Sequence, residues 1–463
     1  MFAPPVYAAR RAALADAVGE GLIVLLGNDA EPMNYAANHF PFRQDGAFLY
    51  YVGLEEPGLA VTLDAETGRT TLYGREATLE DKVWDGDVPP LAERAERADI
   101  EHAASPDALA EAVVRARRDG RAVHVLPPYR ASQRLRLGAV LDVDPEAVRA
   151  SEALLDAVIA QRIVKTDAEV AEIEVAIGIA AEMHRTAMWM AQPGRTEHEV
   201  AAAVEAVALS HGSHLSFPAI VTVRGEVPHH HASGAALAAG DLLLHDAGCV
   251  APGTRYCSDI TRVSPVGGTF SERQRAVYET VLRAQEACIE ACAPGVVFRD
   301  VHDLASRTIA SGLVDLGLLR GDVDEIVAAG AHAAFFHHGL GHPMGLDVHD
   351  LEGLGEDRVG YGDEATRSDQ FGTQYLRFAR ALRPGHVMTV EPGVYFNKIL
   401  LDQWEAEGRH AEFVDYAEAA TWVGFGGVRI EDDVLITETG HRVLGPAIPK
   451  APADVEAAVQ AGV

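Results

Sequence analysis

The stretch His338-Gly-Leu-Gly-His-Pro-Met-Gly-Leu-Asp-Val-His-Asp350 places His338 and His342 four residues apart, with His349 seven positions further on. Gly339 and Gly341 oppose a helix here, and no glutamate follows His338. The stretch is therefore not the His-Glu-x-x-His helix of zinc proteases. Taken alone, His342 is more often a packed or solvated histidine than a ligand.

Four carboxylates elsewhere change that weighting. Asp246 lies in Leu244-His-Asp-Ala-Gly248, Asp259 in Ser258-Asp-Ile-Thr-Arg262, Glu391 in Val390-Glu-Pro-Gly-Val394 and Glu431 in Arg429-Ile-Glu-Asp-Asp433. Each has a plain reading as a turn aspartate, a strand end or a solvated charge run. Jointly, four carboxylates and one imidazole match the charge of two divalent cations. An oxygen-rich set with a single imidazole favours a harder ion such as Mn²⁺, with Co²⁺ or Zn²⁺ also able to fit. Such a pair of ions can activate water for hydrolysis. His229-His-His231 forms a separate cluster, which reads equally as a polar loop or as part of a site.

The chain has 463 residues, 48% hydrophobic and 23% charged, which is ordinary for a globular protein and too long for one core. A net charge of −30 argues against nucleic acid and anionic membrane surfaces as partners. No apolar run approaches the ~18 residues of a membrane span, and the N-terminus lacks a signal-peptide pattern, so a cytoplasmic protein is expected. The four cysteines, Cys249, Cys257, Cys288 and Cys292, form no Cys-x-x-Cys pair. Cys288 and Cys292, one helical turn apart, are expected to be buried thiols rather than a disulfide.

Helix and strand patterns alternate through the first third. Residues 6–17 read as a helix, Phe48–Val52 as a strand, and Leu59–Tyr73 as a hairpin turning at Glu66-Thr-Gly68. A helix begins at Ser105-Pro-Asp107, and Ala122–Leu126 reads as a strand. Helices dominate from 151 to 192, with capping-box pairs at Thr166/Glu169, Thr196/Glu199 and Ser271/Gln274. Beyond 215 strands return: Asp241–Val263 carries Asp246 and Asp259, while Val387–Phe396 and Gly427–Ile436 carry Glu391 and Glu431. Two carboxylates per half suggest a pseudo-duplication with the site between halves. Glu352–Tyr375 reads as a long polar loop beside that site, and 450–463 as a short terminal helix. The expected fold class is α/β (α+β), with one domain over 1–160 and a second over 161–463.

These motifs resemble the proline-specific metallopeptidases with a pita-bread catalytic domain, the Xaa-Pro aminopeptidases and Xaa-Pro dipeptidases. The likeness also covers Phe40-Pro-Phe-Arg-Gln-Asp45 with Phe48-Leu-Tyr-Tyr-Val-Gly53, similar to the N-terminal domain of creatinase and aminopeptidase P. The resemblance implies Asp246, Asp259, His342, Glu391 and Glu431 as metal ligands, with Asp259 and Glu431 bridging. It implies Glu391 as proton shuttle, His349 as the group facing the developing oxyanion, His338 and His229 as pocket residues, and Arg429 as support. Two departures stand out. The spacing from Asp246 to Asp259 is about two residues longer than in the family, as an extended hairpin tip would allow. Pro228-His229-His230-His231 replaces the usual Leu-His, leaving His231 as an alternative to His229.

In dipeptidases of this kind an arginine at the position of Arg377 pairs with the free carboxylate of the substrate, a contact suited to a guanidinium. Its plain reading is a surface arginine, one of several between Tyr375 and Glu391. The expectation is an Xaa-Pro dipeptidase acting on small peptides with proline second, and a homodimer as relatives commonly are. The alternative is an Xaa-Pro aminopeptidase on longer peptides, and the remote one is a non-catalytic binding protein of the same fold.

Overall fold

The computed structural model describes residues 1–462 and divides into two compact units, Met1–Arg162 and a second beginning at Ile163. In the first, strands β1 (Leu22–Leu26), β2 (Ala60–Asp64), β3 (Thr70–Tyr73), β4 (His102–Ala104) and β5 (Val123–Val125) form one sheet in the order β4-β3-β2-β1-β5. Helices Asp107–Arg118 and Ala131–Leu141 cover it, burying Leu109, Val113, Leu137 and Leu141 against Leu22, Val24 and Val125. Phe48–Val52 is not a strand but the body of helix Gly46–Val52. Asp45 caps its start, accepting from Phe48 N at 2.9 Å, and Gly53 ends it in the left-handed region at φ 73°. All five apolar residues are buried, so no periodicity marked the segment, and the flanking cap and stop decided it.

The second unit repeats one plan twice. Helices Asp167–Met190 and Glu197–Ser210 precede an antiparallel sheet of β6 (Ile220–Thr222), β7 (Leu242–Ala247) and β8 (Ile260–Pro265). Helices Glu272–Ala291 and Phe298–Asp315 precede β9 (Val387–Val390), β10 (Gly393–Tyr395), β11 (Gly427–Arg429), β12 (Asp432–Ile436) and β13 (His441–Val443). Here β13-β12-β9 is again antiparallel and three-stranded, with β10 and β11 as a separate pair. All three expected capping boxes form, at Thr166/Glu169, Thr196/Glu199 and Ser271/Gln274. The terminal helix spans Pro452–Gln460.

Two expectations need adjusting. Only Asp246 lies within a strand; Asp259 immediately precedes β8, while Glu391 and Glu431 occupy the breaks β9/β10 and β11/β12. The segment from Glu352 to Tyr375 is not a plain loop: it holds short turns of 3₁₀ helix at Glu352–Leu354 and Thr373–Tyr375 and a helix at Glu356–Gly360. The four cysteines are buried and free. Among the described residues, no helix is long and apolar enough to cross a membrane.

One buried arginine stitches the two halves together. Arg262 Nη1 donates to the carbonyls of Thr261 at 2.9 Å and Glu431 at 2.6 Å, and Nη2 donates to Asp432 Oδ1 at 2.6 Å. Lys450 Nζ and Gln285 Nε2 each reach Asp432 Oδ2 at 2.8 Å. Burial disfavours the Asp432 carboxylate, yet Arg262 and Lys450 outweigh it and bring its pKa to about 2. Arg262→Met should cost about 3–5 kcal/mol in chemical denaturation, since it strands a buried carboxylate. A loss under ~1 kcal/mol would show that the seam does not depend on this pair. Because Asp432 titrates below its ordinary 3.8, its stabilisation is complete above that value and is lost as pH falls toward 2.

Candidate metal centre

β7 and β8 pair so that Asp246 stands opposite Thr261. The strand period of two then puts Asp259, Thr261 and Asp246 toward one side of the sheet. The second half arrives by backbone bonds: Glu431 N donates to Thr261 O at 3.1 Å, and Asp259 N donates to Asp433 Oδ2 at 3.2 Å. Between Asp246 and Asp259 the chain forms a hairpin tip, closed by the Val250–Cys257 bridge and the bond from Ala251 N to Tyr256 O at 2.7 Å.

The His338–His342 segment is laced to β9. Glu391 N donates to Leu340 O at 2.8 Å, Thr389 N to His342 O at 3.0 Å, and His342 N to Thr389 Oγ1 at 3.0 Å. The approach is so close that a Cβ at position 341 would stand 2.0 Å from Thr389 O, so Gly341 is required there. Pro392 ends the β9 ladder next to Glu391. A buried ion pair, Lys165 Nζ to Asp350 Oδ2 at 2.9 Å, anchors the turn carrying His349.

Five side chains converge as a result. Asp259, His342 and Glu431 each offer an atom within 4.8 Å of the others. His342 Nε2 lies 3.5 Å from Asp259 Oδ2 and 3.8 Å from Glu391 Oε1. His342 Nδ1 faces its neighbour's carbonyl, Pro343 O, at 3.1 Å. A carbonyl only accepts, so Nδ1 carries the proton and Nε2 turns a lone pair toward the carboxylates. Burial lowers the pKa of His342 to about 4, so it stays neutral. Asp246 joins through Arg429, whose Nη2 donates to Asp246 Oδ2; Arg429 Nε lies 4.0 Å from Glu391 Oε2.

This arrangement is electrostatically incomplete. Burial and neighbouring carboxylates push Asp259 and Glu431 well above the usual carboxylate range, and Glu391 to about 8. Four carboxylates and the single guanidinium of Arg429 sum to −3 when all are ionised. Asp246 Oδ1 is buried with no hydrogen-bond partner among the described residues. A lone pair aimed at carboxylates, an orphaned carboxylate oxygen and excess negative charge in a buried site fit divalent cations.

The cluster opens into a cavity of about 740 Å³. All ten side chains singled out from the sequence line it: the five above with His229, His338, His349, Arg377 and Arg429, and His231 lines it too. Burial lowers His229, and its surroundings include Arg429, Asp246 and His349. His229 and His231 are both exposed side chains at the cavity rim, with His231 Nδ1 3.4 Å from Ala219 O. His338 Nδ1 donates to Gly339 O and its Nε2 accepts from Tyr395 OH, both at 2.8 Å. His349 Nδ1 donates to Glu352 Oε2 at 2.7 Å. Arg377 Nη1 donates to Glu352 Oε2 at 2.8 Å and Glu356 Oε2 at 3.1 Å.

Three residues of this network carried no separate signal in the sequence. Thr261 Oγ1 donates to Glu431 Oε2 at 2.6 Å and accepts from Arg429 Nε at 3.0 Å. Tyr395 accepts from Arg429 Nη1 at 3.1 Å and donates its own hydroxyl hydrogen bond to His338 Nε2. Thr261, two residues after Asp259, and Tyr395, four after Glu391, follow from strand periodicity once those carboxylates are placed. Glu352 could be found only in three dimensions.

Comparison with known proteins identifies the family. Residues 171–438 match the model of metallopeptidase family M24, and residues 7–124 match the aminopeptidase P N-terminal domain. The chain is 34% identical to the human (Homo sapiens) Xaa-Pro dipeptidase, over 95% of this chain and 89% of that protein. It is 32% identical to a probable Xaa-Pro aminopeptidase of Verticillium alfalfae, over 94% and 92% respectively. The structure of Pseudomonas aeruginosa aminopeptidase PepP superposes with a TM-score of 0.83 at 31% identity, covering 100% of this chain and 99% of that one. With its pita-bread catalytic domain preceded by an aminopeptidase P-type domain, the chain belongs to metallopeptidase family M24.

Proposed function

We propose that this chain hydrolyses the Xaa-Pro bond of dipeptides, releasing free proline. The observation that carries the reading is a guanidinium, Arg377, lining the same cavity as the carboxylate cluster. Asp246, Asp259, His342, Glu391 and Glu431 would hold two divalent ions, Mn²⁺ by preference, with Co²⁺ or Zn²⁺ able to replace it. When bound, such ions supply Lewis acidity and make water a nucleophile near neutral pH.

The chain's own residues do the rest. Arg377 binds the substrate's terminal carboxylate through donors other than Nη1. His229 and His338 flank the peptide, and His349 faces the carbonyl oxygen as it gains charge. Glu391 takes a proton from the attacking water and returns it to the departing proline nitrogen. Arg429 holds Asp246 in place through Nη2.

A second reading, cleavage ahead of proline in longer peptides, is favoured by one observation: Arg377 already meets two carboxylates of the chain, Glu352 and Glu356. A homodimer working on free peptides in the cytosol completes the proposal, and light scattering at about twice the monomer mass of 49.4 kDa is the expected result.

Asp259→Asn should remove most bound Mn²⁺ by elemental analysis and lower Ala-Pro turnover at least ~1000-fold. Turnover within about tenfold of the parent enzyme, with metal supplied, would end the ligand assignment. Arg377→Ala should cut kcat/KM for Ala-Pro about 30- to 100-fold while changing Ala-Pro-Ala under about threefold. Equal losses on both peptides, or a parent enzyme that prefers Ala-Pro-Ala, would favour the aminopeptidase reading.

A further inference from the structure

A single oxygen of Glu352 serves two residues of the cavity wall. Oε2 accepts from His349 Nδ1 at 2.7 Å and from Arg377 Nη1 at 2.8 Å. Glu352 stands behind both, in a small adjoining pocket that His342, His349 and Arg377 also line. It thus joins the residue that faces the scissile carbonyl to the residue that faces the far end of the substrate.

The placement is structurally enforced. Leu351, just before Glu352, has φ 68°, a conformation that a bulky residue adopts only under constraint. It turns the chain back so that Glu352 meets His349 three residues earlier. The helix that follows, Glu356–Gly360, presses on the main chain of Arg377: a Cβ at Gly360 would lie 1.8 Å from Arg377 O, and Ala379 N donates to Gly360 O at 2.8 Å. That helix also supplies Glu356, the second carboxylate on Nη1.

The consequence concerns selectivity. With Nη1 engaged from behind, substrate meets only the remaining donors of a planar fork. A terminal carboxylate can satisfy two of them, whereas the peptide carbonyl of a longer substrate satisfies one and leaves another unpaired. A carboxylate arriving there also competes with Glu352 for the same cation, and Glu352 shares its oxygen with His349.

We propose that Glu352 is a specificity-determining positioning residue: it couples occupancy of Arg377 by a terminal carboxylate to the orientation of His349, so that dipeptides are favoured at the chemical step. The proposal rests on Arg377 meeting that carboxylate. The test measures kcat and KM for Ala-Pro and Ala-Pro-Ala in Mn²⁺-loaded enzyme, alongside metal content and Tm.

Glu352→Ala should lower kcat for Ala-Pro about tenfold and for Ala-Pro-Ala under about threefold, with metal content and Tm unchanged. Glu352→Gln, which keeps an acceptor for both partners, should recover at least about half of the lost kcat. In an Arg377→Ala background, Glu352→Ala should move the ratio of the two substrates by less than about twofold, because the coupling partner is gone. Equal losses on both peptides, or full additivity of the two substitutions, would overturn the proposal. If Arg377→Ala alone leaves the ratio unchanged, the carboxylate-binding reading itself fails, a result separate from additivity.

Discussion

Four carboxylates held together at the buried floor of a cavity repel one another, and the catalytic unit is organised around containing that repulsion. Each loses its hydration on burial, and the raised pKa values of Asp259, Glu391 and Glu431 express the same unfavourable charge. The protein opposes it with one guanidinium, Arg429, buried among Asp246, Tyr395 and Glu391. A neutral imidazole, His342, adds a lone pair instead of a positive charge. A site left in this state is poised for cations, whose binding energy also favours the folded form.

Such a cluster exists only if the backbone beneath it cannot spread. The seam between the two sheets supplies that rigidity. Arg262 binds the main chain at Thr261 and Glu431, one from each half, and grips Asp432. Side chains next to each other in sequence therefore have opposite roles: Glu431 faces the cluster, while Asp432 turns away into a cationic clamp and titrates at about 2. Gly341 allows the His342 segment to lie directly against β9, so imidazole and Glu391 share one hydrogen-bonded frame.

The adjoining wall is held differently. His349, Glu352, Arg377 and Glu356 form a half-buried charged chain instead of a sealed core. Half-exposed ion pairs of this kind add little to stability, so their effect is to hold His349 and Arg377 in position and not to hold the fold. The buried side of the cavity thus suits cation binding, and the more open side suits recognition.

Much of this was legible from residues alone. Capping boxes at Thr166, Thr196 and Ser271 marked helix starts because a cap is a local interaction, complete within four residues. The five clustered side chains were legible because they sit in short, chemically distinctive contexts. Phe48–Val52 was misread as a strand, since a segment buried all round shows no period, and Asp45 and Gly53 decided the outcome. The turns of 352–375 and the sharing of Glu352 between His349 and Arg377 had no local signature. By itself the sequence determined which side chains were available and where helices and turns begin, because those depend on near neighbours. Only the tertiary structure decided which carboxylates face the cavity and which are clamped away from it, because that depends on strand register and on contacts between residues more than a hundred positions apart, such as Arg262 with Asp432.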